Sequence, residues 1–204
     1  MLRVRDLAVA RGGVPVLEGV SFDVNAGQAL VLRGPNGVGK TTLLRTLAGL
    51  QPALSGKVDF AEDTGAYASH ADGIKAQLTV TENLAFWAQV HGADLPDRVF
   101  DAFDLVDLRD RLAGTLSAGQ KRRLGLARLG VIGRRVLFLD EPTVSLDGFS
   151  VKMFATWLRD SHLAQGGVAV IATHIDLGID APEMDLTPFK ATPEASGGSD
   201  EAFL

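Results

Sequence analysis

Gly34-Pro35-Asn36-Gly37-Val38-Gly39-Lys40-Thr41-Thr42 is the stretch that decides how this chain is read. It meets the pattern G-x-x-x-x-G-K-[ST] at Gly34, Gly39, Lys40 and Thr41. Glycines let the backbone turn tightly enough for successive N–H groups to point inward, making a concavity that suits an anion. A helix beginning at about Lys40 brings unpaired N-terminal donors and the positive end of its dipole to the same spot. Lys40 offers a point charge to the β- and γ-phosphates of a nucleotide, and the Thr41 hydroxyl is placed for Mg²⁺. The competing reading is a glycine-rich turn before a helix, and chance meets the four positions in on the order of 1% of chains this long. Context decides between them. The apolar run Ala29-Leu30-Val31-Leu32 precedes the loop and the helical pattern Leu43, Leu44, Leu47, Leu50 follows it, the strand–loop–helix setting that the motif requires.

Outward from that loop, the 204 residues suit one domain carrying a small lobe. A net charge of −5 gives no global field favouring nucleic acid or an anionic membrane. The absence of cysteine excludes disulfides and thiolate metal sites. No apolar run approaches the length of a membrane span, and the N-terminus lacks a signal-peptide core. Work at a membrane would therefore go through a partner.

Residues 2–9 and 16–24 alternate in polarity and are expected as antiparallel strands. The strand 29–32 and helix 40–50 come next, then short strands at 57–60 and around Tyr67, and a polar loop over 69–77. A helix is expected to open at Thr81 without a capping box. Residues 84–112 read as mostly helical, part of a lobe at about 80–130 inserted into the α/β core. Val136 to Leu139 is a continuous apolar run, as befits a parallel strand buried on both faces. A helix over 148–164 and a second buried strand, Val168 to Ala172, follow it. Alternating strands and helices predict a mostly parallel α/β core with an N-terminal antiparallel β subdomain. Residues 1–180 would form the domain. From Ala181 the chain turns Pro-, Ser- and Gly-rich, and 181–204 is expected to be disordered.

Three further groups carry chemistry. Asp140 and Glu141 stand where a buried strand reaches its C-terminal end, the edge at which open α/β sheets bind ligands. An Asp there can hold Mg²⁺, and the adjacent Glu can serve as general base or orient the attacking water. Leu116-Ser117-Ala118-Gly119-Gln120 contains Ser117-x-x-Gln120, a capping box, and so also a second helix start able to face phosphate. A lobe pointing outward would leave it to be completed by a second copy. His174 follows the last buried strand and is a candidate γ-phosphate sensor. Lys121, Arg122, Arg123, Arg128, Arg134 and Arg135 form a basic cluster, by default a solvated helix face.

Taken in order, GPNGVGKTT, LSAGQ, LFLDEP, Ser145-Leu146-Asp147 and the Ala172-Thr173-His174 triplet resemble the ATP-binding subunits of ABC transporters, over residues 2 to 178. The resemblance implies a P-loop NTPase of ABC ATPase type that binds ATP and Mg²⁺. It makes LSAGQ the signature motif, 145–147 the D-loop and His174 the switch histidine. Two subunits would sandwich two ATPs, each between the phosphate loop of one and Ser117 and Gly119 of the other. Catalysis would fall to Lys40, Glu141 and His174, with Thr41 and Asp140 on the metal.

Within that superfamily, His70-x-x-Gly73-Ile74-Lys75, Leu78-Thr79, Glu82-Asn83-Leu84 and SAGQKRR with LARL at 126–129 resemble the haem-exporter ATPases of cytochrome c maturation, the CcmA type. That resemblance implies a place at the cytoplasmic face of the bacterial inner membrane. It also implies the integral partners CcmB, CcmC and CcmD, and haem delivery or release of a haem-loaded chaperone as the task. Two positions depart from the general ABC pattern: His70 replaces the glutamine that senses Mg²⁺, and Arg11 stands where an aromatic ring stacks on adenine. A guanidinium plane can also stack there. The rival readings are an ABC subunit with another cargo, a soluble ABC ATPase acting on DNA or ribosomes, and a nucleotide-gated scaffold.

Overall fold

The computed structural model describes residues 1–69, 73–144 and 146–192. Two sheets carry the fold. Strands β1 (Leu2–Arg11), β2 (Val14–Val24) and β4 (Ser55–Asp59) form an antiparallel sheet in the order β2-β1-β4. Strands β3 (Ala29–Arg33), β5 (Gly65–Ala68), β6 (Val136–Asp140), β7 (Val168–Ala172) and β8 (Glu183–Asp185) form a parallel sheet in the order β5-β6-β7-β3-β8. The helices are α1 (Lys40–Leu47), α2 (Val80–Val90), α3 (Arg98–Ala102), α4 (Ala118–Ala127) and α5 (Gly148–Trp157).

β6 and β7 are apolar along their length, apart from the terminal Asp140, because both faces of the parallel sheet are covered. Alternate residues serve two cores. Leu137, Leu139, Ala169 and Ile171 join the lobe and α5, through Leu84, Phe100, Leu124 and Phe154. Val136, Phe138, Val168 and Val170 join α1 and the antiparallel sheet, through Leu43, Leu47, Val4 and Leu17. The period of two along each strand thus fixes which half of the molecule each side chain holds.

Four expectations need correction. The lobe is less helical than its apolar spacing suggests: between α2 and α4 stand only the short α3 and two 3₁₀ turns, Val106–Leu108 and Ala113–Thr115. α2 opens one residue early and does carry a capping box, formed by Thr79 and Glu82. The helix expected over 148–164 is α-helical only to Trp157, and Leu158–His162 winds as a π-turn.

The fourth concerns the C-terminus, expected to be disordered from Ala181. Residues 183–185 pair with β3 instead, Leu186 is fully buried, and Phe189 packs on the second core. The free edge of β3 supplies the reason, since its backbone groups need partners. Val31 N–H donates to Pro182 O at 2.9 Å, and Leu186 N–H to Arg33 O at 3.0 Å. Residues 193–204 of the expected tail lie outside the described residues, as do His70 and Ser145.

Candidate functional site

β6, β7 and β3 are neighbours, and the register sets Asp140, Ala172 and Leu32 side by side at their C-terminal ends. The phosphate loop leaves β3 there, Glu141 leaves β6, and Thr173-His174 leaves β7. One sheet edge therefore gathers three segments that are far apart in sequence, as the rule for open parallel sheets requires. Between them lies a cavity of about 260 Å³ lined by Arg11, Asn36, Gly37, Gly39 to Thr42, Asp140 and Glu141, with Val16 as an apolar wall. A larger cavity of about 320 Å³ sits among Arg98, Arg134, Arg135 and His162 and is lined by none of the phosphate loop, Asp140, Glu141, Ser117, Gly119 or His174.

The loop's shape depends on glycines with positive φ at Gly34, Gly37 and Gly39. Gly34 has φ 134 and Gly39 φ 119, a region that side chains rarely adopt. A Cβ on Gly39 would also come within 2.8 Å of Val16 and 3.0 Å of Leu17. With Gly39 as its N-cap, α1 has no side-chain cap, and its first N–H groups find no acceptor among the described residues. A buried helix end without partners signals a missing acceptor, and a phosphate fits.

Lys40 is buried, and its ammonium donates to Gly34 O at 2.7 Å and Pro35 O at 3.3 Å, with His174 Nε2 at 3.3 Å. It forms no ion pair among the described residues. Burying a cation among neutral groups is costly unless an anion arrives to share the site. His174 Nε2 also stands 3.0 Å from Asn36 Oδ1 and 3.6 Å from Glu141 Oε1. One imidazole thus touches the loop, its lysine and the carboxylate after β6.

Asp140 is buried and accepts from the Tyr67 hydroxyl at 3.0 Å. Burial and then the Asp140 charge push the Tyr67 phenol up to about 12, so it stays a proton donor. Thr41 and Asp140 present hard oxygens to one cavity, a donor set that fits Mg²⁺ completed by phosphate and water. Among the described residues no cluster of three acidic or histidine side chains could hold a metal alone. Glu141 has φ 48, a left-handed conformation uncommon outside glycine, and its N–H donates to Ala172 O at 2.9 Å.

Ser117 and Gly119 do not line this cavity. Ser117 caps α4, accepting from Gln120 N–H at 3.2 Å, and a Cβ on Gly119 would meet open space. The basic cluster is not a solvated face throughout. Arg122 is buried, Arg123 pairs with Asp104 at 2.5 Å, and Arg128 lies 5.3 Å from the Trp87 ring centre. Three supporting residues make contacts that their place in the sequence does not announce. Tyr67 reaches Asp140 only because β5 pairs in parallel with β6. Arg33 ties the Thr173 carbonyl, at 2.5 Å, to Glu183 in β8, at 2.6 Å. Arg122 holds backbone carbonyls beside Glu141.

A phosphate loop, an Asp-Glu strand end and a histidine meeting at one edge of a parallel sheet define a P-loop ATPase. Residues 17–144 match the model of the ABC transporter family, and the chain belongs to that family as an ATP-hydrolysing subunit. It is 64% identical over 203 residues to the cytochrome c biogenesis ATP-binding export protein CcmA of Roseobacter denitrificans, covering 98% of each chain. It is 61% identical over 208 residues to the protein of that name from Paracoccus denitrificans, covering 100% of this chain and 99% of that one. An ABC transporter ATP-binding protein from Pyrococcus furiosus shares the fold, with a TM-score of 0.81 at 24% identity over 93% of this chain and 99% of that one.

Proposed function

We propose that this chain is the ATPase subunit that couples ATP hydrolysis to haem export, or to release of a haem-loaded chaperone, in cytochrome c biogenesis. Full-length similarity to export proteins named for that process carries the reading, supported by a cavity lined by the phosphate loop, Asp140 and Glu141.

In the proposed cycle the free backbone N–H groups of the phosphate loop and of the first turn of α1, with the Lys40 ammonium, grip the phosphates, and Arg11 stacks on the base. Thr41 and Asp140 would hold Mg²⁺, which would supply positive charge against the phosphates. Glu141 orients the attacking water and takes its proton, and His174 reports the γ-phosphate to the loop after β7. Catalysis rests on positioning and charge, with little covalent chemistry from the protein. Ser117 and Gly119 complete the site of a second copy, so two chains close on two ATPs.

No helix among the described residues is long and apolar enough to cross a membrane. The chain would sit peripherally on the cytoplasmic face, on integral subunits of the CcmB, CcmC and CcmD kind. His70 would occupy the position that usually senses Mg²⁺.

An affinity pull-down from detergent-solubilised membranes tests this, with haem and ATP turnover measured on the captured complex. Co-purification of those subunits with ATP-dependent change in bound haem is the expected result. Different membrane subunits would move the chain to another cargo. Retention in the soluble fraction with salt-sensitive nucleic-acid binding would replace the transporter reading altogether.

A further inference from the structure

Arg122 lies in α4, on the helix that opens with Ser117, yet its side chain is only 4% exposed. Its Nε donates to Pro142 O at 3.0 Å, Nη1 to Ser69 O at 2.8 Å and Nη2 to Glu141 O at 3.1 Å. These acceptors among the described residues are backbone carbonyls, from the loop after β5 and the loop after β6. A guanidinium suits such a place because its donors form a rigid planar fork.

The Glu141 peptide needs that support. A left-handed φ of 48 at a glutamate persists only where its surroundings over-determine it. Its N–H is held by Ala172 O in β7, and its carbonyl is held by Arg122. The backbone that aims the Glu141 carboxylate is thus clamped from two directions, and one clamp belongs to the lobe.

We propose that Arg122 is a positioning residue for hydrolysis, fixing the Glu141–Pro142 backbone so that the carboxylate faces the phosphate cavity only while α4 and the Ser69 loop are in register. This rests on the reading of Glu141 as the group that handles the attacking water. The same helix presents Ser117 and Gly119 at its start, and Ser69 immediately precedes His70. A shift of α4 on engaging a second copy, or of the Ser69 loop on engaging a membrane subunit, therefore pulls on one guanidinium. Contiguous hydrogen bonds of this kind can carry coupling between sites.

The test compares Arg122→Met, which keeps an unbranched stem and removes the donors, with Arg122→Lys in the full-length chain. Single-turnover hydrolysis, kcat, and ATP affinity from fluorescent-nucleotide titration are measured in both. Displacing a catalytic group by about 1 Å costs on the order of 10²-fold in rate, so Arg122→Met should lose about that in kcat. ATP affinity should stay within about 3-fold of wild type, because the phosphate loop is untouched. Arg122→Lys should regain about 10-fold of the loss through the one carbonyl it can still reach.

The deciding measurement repeats Arg122→Met in a Glu141→Gln background. A residue that acts through Glu141 has little left to lose there, whereas a merely structural one costs the same in both backgrounds. Equal losses in the two backgrounds, or wild-type kcat in Arg122→Met, overturn the proposal. Should Arg122→Met fail to fold, Arg122→Lys carries the same cycle, and its loss of turnover must vanish in the Glu141→Gln background. Wild-type turnover in Glu141→Gln alone would instead remove the reading of Glu141 on which the clamp depends.

Discussion

The two helix starts that face phosphate in the proposed cycle are built in opposite ways. α1 begins behind Gly39, with no side-chain cap, a buried Lys40 and a 260 Å³ cavity in front of it. α4 begins behind Ser117, whose hydroxyl accepts from Gln120 N–H at 3.2 Å while Gln120 Oε1 accepts from Ser117 N–H at 2.9 Å. The first leaves its donors open inside its own chain. The second satisfies part of its own demand and stands exposed, away from the cavity. An open start with a lysine can hold a phosphate alone. A capped start holds one only when a ligand already fixed elsewhere is brought against it, which is what a second copy would do. α2 supplies the control, since Thr79 and Glu82 form the same box with no phosphate cavity beside it.

Four substitutions break or sharpen that contrast. Glu141→Gln should bind ATP and hold the dimer closed while losing about 10²- to 10⁴-fold in turnover, the range for removing a general base. A single-turnover assay with size-exclusion chromatography reads both, and undiminished hydrolysis would remove Glu141 from the mechanism. Lys40→Ala strikes the open helix start. Losing a charge-assisted bond of roughly 1.5–3 kcal/mol should weaken ATP binding by about 10- to 10²-fold. Fluorescent-nucleotide titration measures it, and unchanged affinity would mean the amides suffice without the lysine.

Ser117→Ala strikes the capped start. It should cost about 1 kcal/mol of stability, as removing an N-cap does. ATP affinity of the isolated chain should not change, while turnover should fall by about 10-fold, the rate equivalent of losing one neutral hydrogen bond in the closed dimer. Thr79→Ala should cost the same ~1 kcal/mol in thermal unfolding and nothing in turnover. If the two variants behaved alike in the ATPase assay, the α4 start would be a cap and nothing more.

Much of the site was legible in the order of residues. GPNGVGKTT, the Asp140-Glu141 pair and the Ser117–Gln120 box each declare themselves through spacing within one element or turn. His174 was legible as a candidate γ-phosphate sensor from its place after a buried strand; its approach to Lys40 and Glu141 needed the β6-β7-β3 order. The Thr79 cap is written in the sequence as Thr79-x-x-Glu82, but a helix start placed at Thr81 passes over it. The C-terminal segment misled for a different reason. Its Pro- and acid-rich composition describes its exposed face, while Met184, Leu186 and Phe189 are held by an edge that the segment's own sequence does not contain.

Local chemistry, then, was written along the chain: a turn that only glycine permits, a lysine and a threonine one helical start apart, a carboxylate pair closing an apolar run. What the folded molecule alone decided is which backbone groups lie within reach of those residues. The carbonyls that take Arg122, the phenol that braces Asp140, the Arg33 link from Thr173 to Glu183 and the pairing of β8 with β3 all join segments distant in sequence. Every residue carries the same carbonyl, so no pattern of side chains announces which one a guanidinium will find.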